Sequence, residues 1–294
     1  MDLPEACIAH VLSFTSPRDA CRLSCVSSSF RSAADSDALW DSFLPSDWLS
    51  LLSRSSPPPS FSSKKHLYLS LSRQPLLIDD DGLKSFWLDK LCGAKCFMLS
   101  PRSLSIVWGC TPRYWRWRTS EPKGRFEEVA ELLCVCWLEM RGRINTRMLS
   151  PSTSYAAYLV FNLTPSAYGF EHQPVEVSVG IAGNDSDARK RSVYLDPNGG
   201  TRGRQQPIVP RRASLFNRAR ILGVEAGTPI PAENVDPQPP NKRADGWLEI
   251  ELGDFFNEGI DDKALEMAVC EIKGGHWKSG LVIQGIEIRP KPNK

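Results

Sequence analysis

Residues 3–45 read LPEACIAHVLSFTSPRDACRLSCVSSSFRSAADSDALWDSFLP, and their apolar residues recur at helical spacing. In the first part of this segment Ile8, Val11 and Leu12 fall on one face of a helix. The segment is too short to enclose a core of its own. It therefore predicts a small helical module that buries apolar side chains on a partner.

Two further helices are predicted in the same segment. Ser16 can cap the second helix and Pro17 suits its first position, and its apolar side extends to Phe30. Ser36 is a candidate N-cap and predicts the start of a third helix, whose apolar residues end at Leu44. The alternative is an ordinary helical subdomain packed on the rest of the chain.

The order of residues in this segment is Leu-Pro-x-x-x-Ile, Leu-Ser-Phe-x-x-Pro-Arg-Asp, Val-Ser-x-x-Phe-Arg and Leu-Trp. It resembles the F-box, the helical module that docks on Skp-type adaptors of cullin ubiquitin ligases. By helix-in-groove recognition, the resemblance implies that nine residues divide between the module's interior and the adaptor groove, and their division is left open: Leu3, Pro4, Ile8, Val11, Leu12, Leu23, Val26, Phe30 and Trp40.

Composition limits the classes of function. With 294 residues, 41% of them hydrophobic, the chain can bury a sizeable core in two domains. A net charge of +2 gives no general attraction for nucleic acid or an anionic membrane. No apolar run reaches the roughly 20 residues of a membrane span. The 9 cysteines follow no disulfide framework, so we expect free thiols in the cytoplasm or nucleus.

The composition changes along the chain. Residues 1–46 form the helical module, and a Ser/Pro-rich stretch indicates a linker with a short helix at 47–75. Residues 76–294 carry short β-branched and aromatic segments between turn residues. A stretch at 183–245, rich in Gly, Pro and Arg, predicts a mobile loop with one short strand at 192–195.

The strand pattern predicts an antiparallel β-sandwich of jelly-roll type. Side chains alternate from Val175 to Ile181, as in a sheet with one wet side. The stretch from Leu132 to Leu138 is apolar on both faces and predicts a central strand. The expected fold class is therefore α+β, with a small all-α module followed by an antiparallel sandwich.

A second resemblance covers residues 78–290. Eight strings carry it: LSIVWG at 104–109, YWRW at 114–117, EVAEL at 128–132, CWLE at 136–139, YLVF at 158–161, DGWLEI at 245–250, GDFFN at 253–257 and WKSG at 277–280. They are similar to the plant phloem lectins, the phloem protein 2 or Nictaba-like family. An F-box before this domain resembles the plant F-box proteins of phloem-protein-2 type. The resemblance implies a sandwich that binds N-acetylglucosamine oligomers or N-glycan cores.

Candidate sugar-binding residues follow from this resemblance. Trp108 and Trp115 match tryptophans that the family uses for sugar, and Trp117 extends the same strand face. Pyranose rings have flat C–H faces that pack on aromatic rings, which supports the assignment. Glu271 matches an acidic family position, whereas Ala264 occupies another, where alanine accepts no hydrogen bond. The alternative for the tryptophans is core packing.

We therefore expect a substrate-recognition subunit of a Skp–cullin–F-box ubiquitin ligase, contacting the cullin and RING subunits through the adaptor and binding a glycan or glycoprotein. No metal-ligand spacing or catalytic motif is present in the sequence, so we expect no cofactor, no metal and no catalysis. Two alternatives remain: a ligase receptor whose sandwich recognises a protein surface, and a lectin of the nucleus and cytoplasm outside any ligase.

Overall fold

The computed structural model describes residues 3–55, 60–79, 81–120, 124–171, 173–183, 188–197, 239–260 and 262–291. Helices occupy the N-terminal part and antiparallel strands the rest, which confirms the predicted fold class. The helices are α1 Glu5–Ser13, α2 Pro17–Leu23, α3 Ser28–Asp35, α4 Asp37–Phe43, α5 Trp48–Ser53 and α6 Lys64–Arg73.

Serine hydroxyls define where several helices begin. Ser16 and Ser36 cap α2 and α4, as the sequence indicated. The single second helix that was predicted to reach Phe30 is wrong, because the chain turns after Leu23 and a new helix begins. Ser27 starts that helix, and its Oγ accepts a hydrogen bond from the backbone N–H of Phe30 at 3.2 Å.

A helix lies inside the segment interpreted as a linker. α5 buries Leu51 and Leu52, which are 2% and 7% exposed. The structure differs from the linker interpretation here, because these side chains join the apolar core. Residues 56–59 lie outside the described part of the chain. The short helix expected near residues 64–72 corresponds to α6, which Ser63 caps.

Within the described residues, the strands form two antiparallel sheets that do not close into a barrel. The strands are β1 Leu76–Ile78, β2 Lys84–Leu88, β3 Lys95–Leu99, β4 Ser105–Ile106, β5 Trp115–Thr119, β6 Glu128–Leu132, β7 Leu138–Asn145, β8 Thr153–Tyr168, β9 Val175–Ile181, β10 Arg189–Val193, β11 Asn241–Lys242, β12 Leu248–Asn257, β13 Ala264–Glu271 and β14 Ser279–Pro290. The larger sheet runs β1-β2-β3-β14-β8-β12-β11, with β6 also paired to β14 and β5 to β6. The smaller sheet runs β10-β9-β13-β7-β4.

β14 lies at the centre of the larger sheet. One side pairs with β8, and the other side is shared by β3 and β6. Gly285 lies where β3 gives way to β6, with φ 147°. A side chain there would overlap the carbonyl oxygen of Leu99, so this close approach of two strands requires glycine.

The central strand predicted across Leu132 to Leu138 is wrong. β6 ends at Leu132 in the larger sheet, and β7 begins at Leu138 in the smaller sheet. The chain crosses between the sheets here, so Val135 is buried and bridges Lys278, while Trp137 is 42% exposed. The apolar run therefore reflects a crossing between two sheets and not one buried strand.

The smaller sheet has one buried face and one solvent-exposed face. In β9, Val175, Val177 and Val179 are buried, whereas Glu176 and Ser178 are partly exposed, which confirms the predicted alternation. The short strand expected at 192–195 is instead β10, at Arg189–Val193. Most of the loop predicted at 183–245 lies outside the described residues.

The N-terminal helices pack directly on the sandwich. The ring of Trp40 in α4 lies 5.2 Å from that of Tyr68 in α6. The Tyr68 hydroxyl donates to the carbonyl of Asp89, between β2 and β3, at 3.0 Å. Lys95 in β3 is buried and its Nζ lies 3.1 Å from Asp47 Oδ2. Helices and strands therefore share one continuous core.

Candidate functional site

α1 has a buried side and an exposed apolar side. Ile8 and Leu12 face the core and are 4% and 0% exposed. Other apolar residues of the helical module face solvent, and we call them the N-terminal apolar surface: Leu3, Val11, Phe14 and Val26, all more than half exposed. Val11 and Phe14 are three residues apart at the end of α1, and an exposed apolar pair at helical spacing is typical of a docking site for another protein.

The structure sorts the nine residues predicted for the adaptor. Ile8, Leu12 and Trp40 are buried, Leu23 and Phe30 are partly buried, and Leu3, Pro4, Val11 and Val26 are exposed. The indole N–H of Trp40 donates to the Ala34 carbonyl at 2.7 Å inside the module. The buried residues therefore hold the module together. Sequence reasoning missed Phe14, although it follows Val11 at helical spacing.

Trp108 lies on a tight turn at one end of the sandwich, after β4. The N–H of Gly109 donates to the Ile106 carbonyl at 2.9 Å, and the N–H of Thr111 donates to the Trp108 carbonyl at 2.8 Å. Trp108 has φ 57°, a left-handed conformation that bulky residues rarely adopt. Its ring is 42% exposed and packs on Tyr114. Backbone strain of this kind clusters at functional sites.

Trp115 and Trp117 stabilise this turn by donating hydrogen bonds to its backbone. Trp115 is 2% exposed, and its indole N–H donates to the Val107 carbonyl at 3.1 Å. The indole N–H of Trp117 donates to the Gly109 carbonyl at 3.0 Å. The two acceptors flank Trp108 in the chain. Of the three tryptophans predicted to bind sugar, Trp108 therefore presents the most open ring, and the other two fix its turn.

Glu271 is buried and does not face solvent. It forms an ion pair with Lys278, and its Oε1 accepts a hydrogen bond from the N–H of Gly274 at 2.9 Å. Ala264 is at the opposite end of β13, about 23 Å away at the rise of an extended strand. The Val107 N–H donates to the Glu139 carbonyl at 3.0 Å, which ties the Trp108 turn to the Glu271 end. The alanine at 264 is therefore remote from Trp108.

Three more exposed aromatic residues lie at the same end of the sandwich as Trp108. We call this set the aromatic edge: Trp108, Trp137, Tyr168 and Trp277, which are 42%, 42%, 45% and 55% exposed. Backbone pairing brings their segments together, since Val135 bridges Lys278 and Tyr168 pairs with Ser279. Sequence reasoning missed three of them, although Trp137 and Trp277 are in the strings CWLE and WKSG.

Polar groups accompany these rings. The Trp137 indole N–H donates to Glu139 Oε2 at 3.0 Å, and Arg141 donates to Glu139 Oε1 at 3.0 Å. Hydrogen bonds to Glu266 and to Glu139 raise the pKa of Arg141. The Tyr168 hydroxyl lies 3.1 Å from the Cys134 thiol, and the hydrogen bond between them raises the pKa of Tyr168. Flat rings beside fixed polar groups suit a ligand with apolar faces and hydroxyl edges.

The other end of the sandwich has two adjoining cavities of about 190 and 350 Å³. They share Ile181, Phe255 and Phe256 in their walls. Across the described residues, no group of three or more His, Cys, Asp or Glu side chains is arranged to hold a metal ion. Nor does any helix in the described part of the chain have the length and apolar character to span a membrane.

Comparison with known proteins places both halves of the chain in families. Phloem protein 2 matches residues 94–290, and the F-box domain matches residues 1–42. The chain is 46% identical over 291 residues to the Arabidopsis thaliana F-box protein PP2-B10, covering 98% of this chain and 92% of that protein. It is 42% identical over 306 residues to the Arabidopsis thaliana F-box protein PP2-B1, covering 98% and 89%.

Among solved structures, a Podospora anserina β-(1,4)-mannanase with a GH26-CBM35 architecture aligns with a TM-score of 0.33 and 6% identity, covering 68% of this chain and 28% of that one. At this score the similarity supports no conclusion about ligand. The matched domains and the near full-length identity to the F-box relatives show that the chain belongs to the family of plant F-box proteins that carry a phloem protein 2 domain.

Proposed function

We propose that this chain is the substrate-recognition subunit of a Skp–cullin–F-box ubiquitin ligase. Its helical module docks on a Skp-type adaptor, and its sandwich binds glycans on the target. Proteins of this family are receptors, and the chain itself carries out no bond chemistry in this proposal. It raises the effective concentration of the target beside the subunits that transfer ubiquitin.

The proposal has an adaptor half, in which the helical module docks on the adaptor, and a glycan half, in which the sandwich binds the target. The N-terminal apolar surface is the observation that supports the adaptor half. α1 buries Ile8 and Leu12 in the chain's own core but leaves Val11 and Phe14 in solvent, 59% and 78% exposed. Burying apolar area stabilises a complex by about 25 cal/mol per Å² of surface removed from water. An adaptor groove that covers these side chains therefore gains free energy that folding has left unused.

Co-purification tests the adaptor half. Val11→Asp combined with Phe14→Asp is expected to abolish pull-down of a Skp-type adaptor while the circular dichroism spectrum stays the same, because both side chains are exposed. Ile260→Asp is the matched control, since Ile260 is 80% exposed on the sandwich. Unchanged pull-down of the doubly substituted chain contradicts the proposal.

The aromatic edge supports the glycan half. Its four rings lie on segments at one end of the sandwich, and Trp108 is held there in a strained backbone conformation. The substrate class best suited to such rings is an oligosaccharide with flat pyranose faces, such as an N-acetylglucosamine oligomer or an N-glycan core. The free cysteines support a place of action in the cytoplasm and nucleus.

A glycan array with a chito-oligosaccharide column tests this half. Trp108→Ala is expected to abolish retention on the column, and Phe256→Ala, which removes a 53% exposed ring at the opposite end, is expected to leave it unchanged. A wild-type chain that binds no glycan on the array contradicts the glycan half. If such a chain still captures the adaptor, the receptor recognises a protein surface instead. Glycan binding without adaptor capture indicates a lectin outside any ligase.

A further inference from the structure

Lys278 and Glu271 form an ion pair under the aromatic edge, with side chains only 1% and 3% exposed. Removing both charges from water costs free energy, and apolar residues of similar volume often give an equally stable or more stable protein. Stability alone therefore explains the pair poorly. Its contacts identify what it holds in place.

The Lys278 ammonium binds the carbonyls that precede two exposed tryptophans. Its Nζ donates to the carbonyl of Cys136, next to Trp137, at 3.4 Å. It also donates to the carbonyl of His276, next to Trp277, at 2.7 Å. The two carbonyl oxygens are thus no farther apart than the sum of these distances. One cation therefore fixes the peptide plane before each ring.

Backbone bonds add to this arrangement. The N–H of Lys278 donates to the Val135 carbonyl at 2.8 Å, and the N–H of Val135 donates to the Lys278 carbonyl at 3.0 Å. Glu271 neutralises the ammonium and also accepts the N–H of Gly274. The segment that carries Trp137 and the segment that carries Trp277 are therefore joined through one buried ion pair.

We propose that the Lys278–Glu271 ion pair positions Trp137 and Trp277 as a two-ring platform for adjacent sugar units of one oligosaccharide. This inference rests on the proposed glycan function. In it Lys278 and Glu271 are positioning residues that do not touch the ligand. Glu271 therefore acts through Lys278 and not, as the family resemblance implied, by accepting hydrogen bonds from sugar hydroxyls.

The experiment compares chitotetraose with chitobiose by titration calorimetry on the full chain. In the double variant Glu271→Gln, Lys278→Met, no buried charge is left unpaired, and the glutamine still accepts the Gly274 N–H. We expect this variant to fold and to lose about tenfold or more of its affinity for chitotetraose, the scale of a lost aromatic stacking contact. The ratio of the affinity for chitotetraose to the affinity for chitobiose should fall as well. A general loss of structure would instead lower both affinities equally.

A cycle of variants separates positioning from direct contact. In a chain that already carries Trp137→Ala and Trp277→Ala, adding Glu271→Gln and Lys278→Met should cost no further affinity for chitotetraose, because the ion pair acts only through these two rings. Glu176→Gln is the control for removing a carboxylate near this end, since Glu176 is partly exposed and lies on β9. A further loss of affinity in the combined variant overturns the positioning role, because the pair would then act on the sugar independently of the rings.

Further outcomes are distinguishable. If the wild type binds chitotetraose and the folded double variant binds it equally well, the inference is overturned and the glycan function stands. If the wild type does not bind chitotetraose, both the inference and the proposed glycan function are contradicted. Should the double variant not fold, Trp137→Ala with Trp277→Ala tests the platform while keeping the ion pair, and an unchanged ratio of tetramer to dimer affinity overturns the inference.

Discussion

The indole ring of Trp108 lies against the phenol ring of Tyr114, with ring centroids 5.2 Å apart and planes inclined by 39°. This contact is made by a residue whose backbone has φ 57°. The side chain and the main chain of Trp108 therefore have opposite effects on stability, since the ring gains packing while the backbone is strained.

Substitution of Trp108 separates these two effects. Both Trp108→Gly and Trp108→Ala remove the ring, but only glycine adopts positive φ without strain. We expect the glycine variant to have a free energy of unfolding about 1 kcal/mol above that of the alanine variant, the reverse of the usual order. Urea denaturation measures the difference. A more stable alanine variant contradicts the described turn.

Adjacent residues of α1 should respond differently to truncation. Leu12 is fully buried, so Leu12→Ala is expected to lower the free energy of unfolding by about 3 kcal/mol. Val11 is exposed, so Val11→Ala should change it by less than about 0.5 kcal/mol and reduce adaptor affinity instead. Denaturation and adaptor titration on both variants check this, and similar losses of stability contradict the assignment of faces.

The outer face of the larger sheet should make stability depend on pH. Burial opposes ionisation of Glu249, but hydrogen bonds from Arg289 at 2.7 Å and from Arg243 at 2.7 Å lower its pKa below the usual 4.5. A lowered folded-state pKa stabilises the fold above pH 4.5, and this contribution is lost as pH falls through the folded-state pKa.

The variant Glu249→Gln tests this dependence. At pH 7 its melting temperature should lie below that of the wild type, and the difference should shrink as the pH drops below the ordinary glutamate value. Exposed Glu258→Gln controls for the loss of one charge. A difference that stays constant with pH rules out the proposed contribution of Glu249.

Gly285 should tolerate no side chain. Gly285→Ala places a methyl group against the Leu99 carbonyl in a β14 backbone of positive φ, so we expect a loss of about 3 kcal/mol. Gly183→Ala is the matched control, because Gly183 also has positive φ but open space around it, and should cost about 1 kcal/mol. Thermal melts of the two variants measure the contrast, and equal losses count against the close strand approach.

Local sequence signals predicted the elements that depend on neighbouring residues. The caps at Ser16 and Ser36 and the alternation from Val175 to Val179 are properties of short segments, and the structure has them. The fold class followed from the change of periodicity along the chain.

Features that depend on distant contacts could not be predicted in the same way. Trp115 lies between arginines and Trp137 lies in an apolar run, yet Trp115 is buried and Trp137 is exposed, because the chain crosses between the sheets at Trp137. Val11 and Leu12 differ because α1 packs on α3 and α4 through one side only. The bonds from Lys278 to two loop carbonyls have no local sequence signature.

The packing of Trp40 on Tyr68, and the hydrogen bond from the Tyr68 hydroxyl to the Asp89 carbonyl, hold α4 and α6 against the strands beside them. For a receptor of the proposed kind, a captured target is then presented to the charged enzyme at one distance and from one direction. Under the proposed function, the lysines that receive ubiquitin would be selected by the shape of the target and by where its glycan is attached.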